Sequence, residues 1–264
     1  MDKDELFDLH ELASSGQLDA ISELVNNYLQ AHDYKKAFLT AQRFEFFKSA
    51  QGYKTLGYFY QKGIGTEIDL AKAKDYYEKS FDLGDITSGY NLALMEVRDK
   101  NYQKAIKYLT SGVEANHLNS IRLLANLYLN GDGLYQDKGI AISLLEKGMS
   151  LGDSKALIQL AKIYYLDKNY QAAKELFEKG SQLGDLDCIY HLGLFYAKGL
   201  GVRQDFSQAV KYYQMGAKEL EPRCLYNLSL YYRNGVVVEQ NIELANKLEN
   251  QAIERGFKKQ FINY

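Results

Sequence analysis

Leu56-Gly57-Tyr58-Phe59-Tyr60 is the stretch whose recurrence decides the fold. Related blocks stand at Leu24-Val25-Asn26-Asn27-Tyr28, Leu92-Ala93-Leu94-Met95, Leu124-Ala125-Asn126-Leu127-Tyr128, Leu160-Ala161-Lys162-Ile163-Tyr164, Leu192-Gly193-Leu194-Phe195-Tyr196 and Leu228-Ser229-Leu230-Tyr231-Tyr232. The residue after each leucine, small in all but the first block, falls at 25, 57, 93, 125, 161, 193 and 229, so successive spacings alternate between 32 and 36. A fixed period in this range marks an array of stacked supersecondary units, each too small to bury its apolar face alone.

A second marker fixes the register independently. Each unit carries an alanine 12 or 16 residues after that position: Ala37, Ala73, Ala105, Ala141, Ala173, Ala209 and Ala245. Four residues before each alanine stands Asp33, Asp69, Asn101, Asp137, Asn169, Asp205 or Asn241. Asp and Asn are preferred helix N-caps because the side-chain oxygen accepts a bond from an unpaired first-turn N–H. Each unit therefore reads as a first helix, a turn of variable length and a capped second helix. Glycines such as Gly63, Gly65, Gly199 and Gly201 mark the long turns, and a single proline in 264 residues suits a helical chain. The expected fold is all-α, a right-handed α-α superhelix or solenoid of seven helix-turn-helix repeats in one domain. The repeats are drawn at 17–49, 50–85, 86–117, 118–153, 154–185, 186–221 and 222–257, with capping segments at 1–16 and 258–264. Leu220 and Pro222 replace the Gly-Asp junction seen at Gly84-Asp85, Gly152-Asp153 and Gly184-Asp185, which predicts a bent or looser sixth junction.

The long units, typified by Leu192-Gly193-Leu194-Phe195-Tyr196-Ala197-Lys198-Gly199 with Ala209 and Gly216-Ala217 downstream, resemble Sel1-like repeats. The short ones, with Asn-Tyr-x-x-Ala at Asn101 to Ala105 and Asn169 to Ala173, resemble tetratricopeptide repeats. The resemblance covers roughly residues 17 to 257 and implies a protein-interaction scaffold or adaptor, with ligands along the concave first-helix surface. A dedicated inhibitor or immunity protein that sequesters one toxin or enzyme is the alternative within the same class. An enzyme or small-molecule sensor is a more distant one.

Helical geometry places the residues three and two before the small position, and one and five after it, on one exposed stripe. That stripe yields the candidate partner-binding residues Tyr58, Tyr90, Asn91, Arg98, Arg122 and Asn126, followed by Lys162, Tyr190, His191, Lys198, Tyr226 and Asn227. Tyrosine and arginine supply contact area, and asparagine amides can pair with an extended backbone. Tyr90-Asn91 and Tyr226-Asn227 look like the ligand-facing Tyr-Asn pair of the tetratricopeptide family. Lys54, Lys62, Arg98, Arg122, Lys162 and Lys198 predict a locally basic groove, suited to an acidic segment or a C-terminal carboxylate.

Other functions find little support in the sequence. A formal net charge of −2 argues against nucleic-acid binding. No apolar run reaches membrane-spanning length, and the acidic start Met1-Asp2-Lys3-Asp4-Glu5 is unlike a signal peptide. A bacterial-type cytoplasmic protein is the expectation, periplasmic or secreted only if a leader has been removed. The four histidines lack metal-ligand spacing, and Gly148-Met149-Ser150-Leu151-Gly152 matches a hydrolase motif away from the strand-to-helix turn it requires. No catalytic residue, metal or cofactor is expected. Cys188 and Cys224 occupy equivalent positions of adjacent repeats, whose helix axes should lie about 8–10 Å apart. That exceeds the roughly 7 Å a disulfide spans, so both are expected as free thiols.

Overall fold

The computed structural model describes residues 3–258, and no strand occurs among them. The expected capping segment 258–264 lies outside the described residues except for Lys258. The helices are α1 (Lys3–Ser14), α2 (Leu18–Gln30), α3 (Tyr34–Ala41), α4 (Phe44–Phe47), α5 (Ala50–Lys62), α6 (Leu70–Asp82), α7 (Ile86–Arg98) and α8 (Tyr102–Glu114). They continue with α9 (Leu118–Asn130), α10 (Lys138–Ser150), α11 (Ser154–Leu166), α12 (Tyr170–Gln182), α13 (Leu186–Lys198), α14 (Phe206–Lys218), α15 (Pro222–Asn234) and α16 (Ile242–Glu254). By compactness the chain divides into two units, 1–144 and 145–264, with the boundary inside α10. In the first unit α2 pairs with α3, α5 with α6 and α7 with α8, and α6 packs on α7 and α8 on α9. In the second, α11 pairs with α12, α13 with α14 and α15 with α16, while α12 packs on α13 and α14 on α15. These are paired helix-turn-helix repeats, as the period predicts.

The two sequence markers have direct structural meaning. All seven marker alanines are fully buried. Asp33, Asp69, Asp137, Asn169, Asp205 and Asn241 each accept the backbone N–H three residues on. Asn101 stands at the cap of α8 but makes no side-chain cap bond. Its amide instead donates to Glu96 Oε2 at 2.8 Å, helping to satisfy a nearly buried carboxylate that Lys74 also holds at 2.8 Å. First helices are capped too: Asp85 accepts from the Ser88 N–H, Asp153 from that of Lys155 and Asp185 from that of Cys188.

The sixth junction closes like the others, contrary to the sequence expectation. Leu220 takes a left-handed φ of +59° at the position where Gly84, Gly152 and Gly184 adopt φ values of +92°, +84° and +79°. Glu221 then caps the Cys224 N–H at 2.6 Å, and its own N–H returns to the Gly216 carbonyl at 2.9 Å, as that of Asp185 does to Gly180. Pro222 occupies the first helical position, where no N–H is needed. The first repeat departs most. After α3 the chain tightens into i→i−3 bonds at Arg43 and, within α4, at Glu45 and Phe46, and α4 seats Phe44 in the core against Gly52.

Long turns share one closure. The N–H groups of Asp69, Asp137, Asp205 and Asn241 donate to the carbonyls of Tyr60, Tyr128, Tyr196 and Tyr232 at 2.9–3.0 Å. In three of them a glutamine amide spans the turn: Gln136 to the Leu129 carbonyl, Gln204 to that of Ala197 and Gln240 to that of Arg233. Within the repeats, size is matched across the helix pair. Gly57 on α5 lies against the Tyr77 ring of α6, and Gly193 on α13 against the Tyr213 ring of α14, each so close that a Cβ would stand 2.8 Å from the ring's Cδ1.

Candidate functional site

Each unit has a groove on the face formed by its first helices. In the first unit a cavity of about 350 Å³ is walled by α2 through Ser22, Val25, Asn26 and Leu29, by α5 through Lys54, Thr55 and Tyr58, and by Asn91 of α7. Tyr58 and Asn91 were both expected at the surface, and Tyr58 is 46% exposed. In the second unit a cavity of about 640 Å³ opens between α13 and α15. Tyr190, Leu194 and Lys198 come from α13, Arg223, Asn227, Leu230, Tyr231 and Asn234 from α15, and Tyr165, Phe206, Tyr213, Val236 and Phe257 complete the walls.

Tyr190, Lys198 and Asn227 thus meet as the stripe predicts. The other expected residues do not line either groove. Arg98 is exposed at the end of α7, 3.5 Å from Asp99. Arg122 and Asn126 are half-buried on α9, with the Arg122 guanidinium donating to Asn119. Tyr90 is half-buried with its ring edge-on to His117, centroids 5.4 Å apart. Two residues lie deeper than a surface stripe allows. Tyr226 is only 8% exposed because Phe257, just past the last helix, stacks on it at 4.4 Å. His191 stacks on Phe177 at 4.6 Å and beside Tyr165 at 5.4 Å, and its buried Nδ1 has no hydrogen-bond partner among the described residues. Burial pushes His191 down to about 4 against the opposing charge of Asp187.

Part of the expected basic character is neutralised in place. Asp187 on α13 holds Lys162 of α11 at 2.6 Å and Arg223 of α15 at 2.7 Å, so one carboxylate ties three successive first helices. Burial works to raise the Asp187 carboxyl, but the Lys162 and Arg223 bonds outweigh it and hold it below the usual range. Arg223 also binds Glu221 at 2.7 Å and lies over the Tyr190 ring, 4.2 Å from its centroid. In the first unit Lys54 is held by the cap residue Asp85 at 2.7 Å. Lys198 is exposed and has no carboxylate partner among the described residues.

Cys188 and Cys224 are free and buried, as expected from their spacing. Among the described residues no cluster of His, Cys, Asp and Glu could hold a metal ion, and no helix is long and apolar enough to cross a membrane.

The paired helices with their glycine-closed turns match a known repeat. The Sel1 repeat family aligns with residues 55–85, 90–117, 119–153, 154–185, 186–219 and 222–257, well over half of the chain. The chain belongs to the Sel1 repeat family. The helical pair of residues 17–49 falls outside the six matched stretches. A Sel1-like repeat-containing protein of Acanthamoeba polyphaga mimivirus is 36% identical over 74 residues, 28% of this chain and 14% of that protein. A component of an ERAD-associated E3 ubiquitin-protein ligase from Candida glabrata is 28% identical over 105 residues, 38% of this chain and 13% of that protein. A Sel1-like repeat-containing protein of Schizosaccharomyces pombe is 24% identical over 191 residues, 69% of this chain. The chain spans a quarter or less of the length of these curated relatives.

Among solved structures, a protective antigen of uropathogenic Escherichia coli strains with an SLR fold superposes with a TM-score of 0.77 at 20% identity, over 94% of this chain and 56% of that one. A Sel1 repeat protein from Oxalobacter formigenes gives a TM-score of 0.70 at 23% identity, over 88% and 96%. At these identities the likeness establishes the fold alone.

Proposed function

We propose that the chain is a non-catalytic interaction scaffold that binds another protein or peptide along the first-helix face of its repeats. Sel1 repeat proteins generally serve as protein-interaction scaffolds, and their fold is typically non-catalytic. The observation that carries the reading for this chain is the site of its grooves. In each unit a concavity is lined largely by first-helix tyrosines, asparagines and aliphatics, several of which stay partly exposed. Such surfaces combine rigid aromatic contact area with amides that can pair with a partner's backbone. A preformed surface of this kind binds with little loss of conformational entropy, because its side chains are already fixed by ion pairs such as Lys54–Asp85 and Arg223–Asp187. A reducing, cytoplasmic compartment fits the two free thiols.

The test is partner capture by the full chain carrying Tyr58→Asp or Leu230→Asp, beside Lys107→Asp on the exposed side of α8 as control. The first two should lose a partner that wild type and control retain. Retention of every partner by both first-helix variants would move the binding surface elsewhere.

A further inference from the structure

The groove of the second unit has a chemistry more specific than a generic protein surface. Its volume of about 640 Å³ falls within the range of sites that enclose a compact ligand. Tyr165, Phe206, Tyr231 and Phe257 supply aromatic walls from four separate segments, with Leu194 and Leu230 between them. Aromatic side chains approach one another closely here: Phe206 and Tyr231 stand edge to face at 6.1 Å, and Tyr213 lies 6.0 Å from Tyr231. The hydroxyls of Tyr165 and Tyr231 have no hydrogen-bond partner among the described residues.

The charges are one-sided. No carboxylate lines the cavity, and its two cations are Arg223 and Lys198. Arg223 is already balanced by Asp187 and Glu221. Lys198 is not, and it sits at the exposed C-terminal end of α13 beside the apolar walls. An occupant complementary to this arrangement is apolar where it meets the walls and anionic where it meets Lys198. Asn234, exposed at the end of α15, adds an amide to the lining.

We propose that this groove is the anchoring subsite for a bulky apolar side chain of the partner, aromatic or leucine-like, followed directly by a residue bearing a carboxylate that pairs with Lys198. The proposal rests on the first-helix face being the partner surface, and it assigns that partner a sequence chemistry.

The test titrates the full chain with three capped tetrapeptides: acetyl-Ala-Phe-Asp-Ala-amide, the same peptide with Asn for Asp, and the same peptide with Ala for Phe. Binding is read from aromatic side-chain resonances. The Phe-Asp peptide should perturb Tyr231 and Phe257, and losing the phenyl ring should weaken binding about tenfold or more, as truncating a buried anchor does. The Asn peptide should bind several-fold more weakly to wild type and no more weakly than the Asp peptide to Lys198→Glu, an exposed change that leaves the core intact. Leu230→Arg should block all three. Equal binding of the Ala and Phe peptides, or an Asp preference that survives in Lys198→Glu, would overturn the proposal. So would N-acetylphenylalanine alone binding as tightly as the tetrapeptide, since the groove would then serve a small molecule. If no peptide binds while partner capture still depends on Tyr58 of the other groove, the subsite fails and the broader reading stands.

Discussion

Cys188 follows Gly180 by eight residues, and its Cβ lies 3.2 Å from where a Cβ on that glycine would stand, with the sulfur closer still. The same eight-residue step joins Cys224 to Gly216, Ser120 to Gly112 and Ser88 to Ser80, whose hydroxyls bond at 2.8 Å. At these four junctions a small residue late in the second helix thus receives a small residue early in the next first helix, which lets the two backbones approach. Helix propensity alone favours Gly180→Ala by up to about 1 kcal/mol, but overpacking a filled contact typically costs about 1–3 kcal/mol. Gly180→Ala should therefore lower stability in the wild-type background and be neutral or stabilising in Cys188→Ala, as a denaturant titration of the four proteins would show. Additive effects would mean that sulfur and methyl do not compete for the same space.

The Gly193–Tyr213 contact makes a parallel case inside a repeat. At the corresponding register of a short unit stand Ala93 and Leu109, both buried. Gly193→Ala should destabilise by about 1–3 kcal/mol through overpacking against the ring. Adding Tyr213→Leu should recover part of that loss, giving a coupling of about 0.5 kcal/mol or more in a double-mutant cycle.

Much of this molecule was legible because its signals are local. An N-cap acts within three residues, so Asp69 and Asp205 announced the starts of α6 and α14 in the chain itself. Asn101 escaped the rule because the side chain of Glu96 competes for its amide. The exposed stripe rests on helical angle alone, so it includes the groove-lining Tyr190 and Asn227 but takes no account of Phe257 covering Tyr226. It also counted cations without their partners. Asp187 and Asp85 lie off the stripe, early in or just before their helices, yet they reach Lys162, Arg223 and Lys54 on neighbouring helices. The groove residues Tyr165, Phe206 and Val236 were missed because they converge from three segments. The recurring small pair eight residues apart was visible in the sequence and could have located the close contacts between repeats.

Val237 offers a stabilising change. It adopts a φ of +55° at the turn position where Gly65, Gly133 and Gly201 stand in the other long units. A β-branched residue in this region is strained, with a cost of about 1–2 kcal/mol. The side chain is 54% exposed, so little contact is lost on removing it. Val237→Gly should raise the thermal midpoint, the relief of strain exceeding the added chain entropy, and a melting curve is sufficient to check the sign.

Stability should also fall as solutions are acidified below neutrality. His191 is held neutral in the folded chain by burial, at about 4 against an ordinary 6.5. Between those values the unfolded chain binds a proton that the folded chain refuses, so stability is full above 6.5 and declines as pH falls toward 4. The side chain touches Phe177, Tyr165 and Tyr190, with Asp187 Oδ1 3.8 Å from its Nε2. The difference corresponds to about 3 kcal/mol at most. Denaturant midpoints at pH 7 and pH 5 should differ more in wild type than in His191→Leu. Equal shifts would assign the acid sensitivity to other groups, such as the depressed carboxylates Asp85 and Asp187.

The central claim is that partners bind the first-helix face, and site-specific photocrosslinking tests it most directly. A photoreactive phenylalanine analogue would replace Tyr58 or Leu194 on first helices, or Lys107 or Glu175 on the exposed side of second helices. In cells, positions 58 and 194 should give discrete crosslinked partners, and positions 107 and 175 should give none in common with them. The same partner crosslinking at 107 and 175 but not at 58 and 194 would contradict the account.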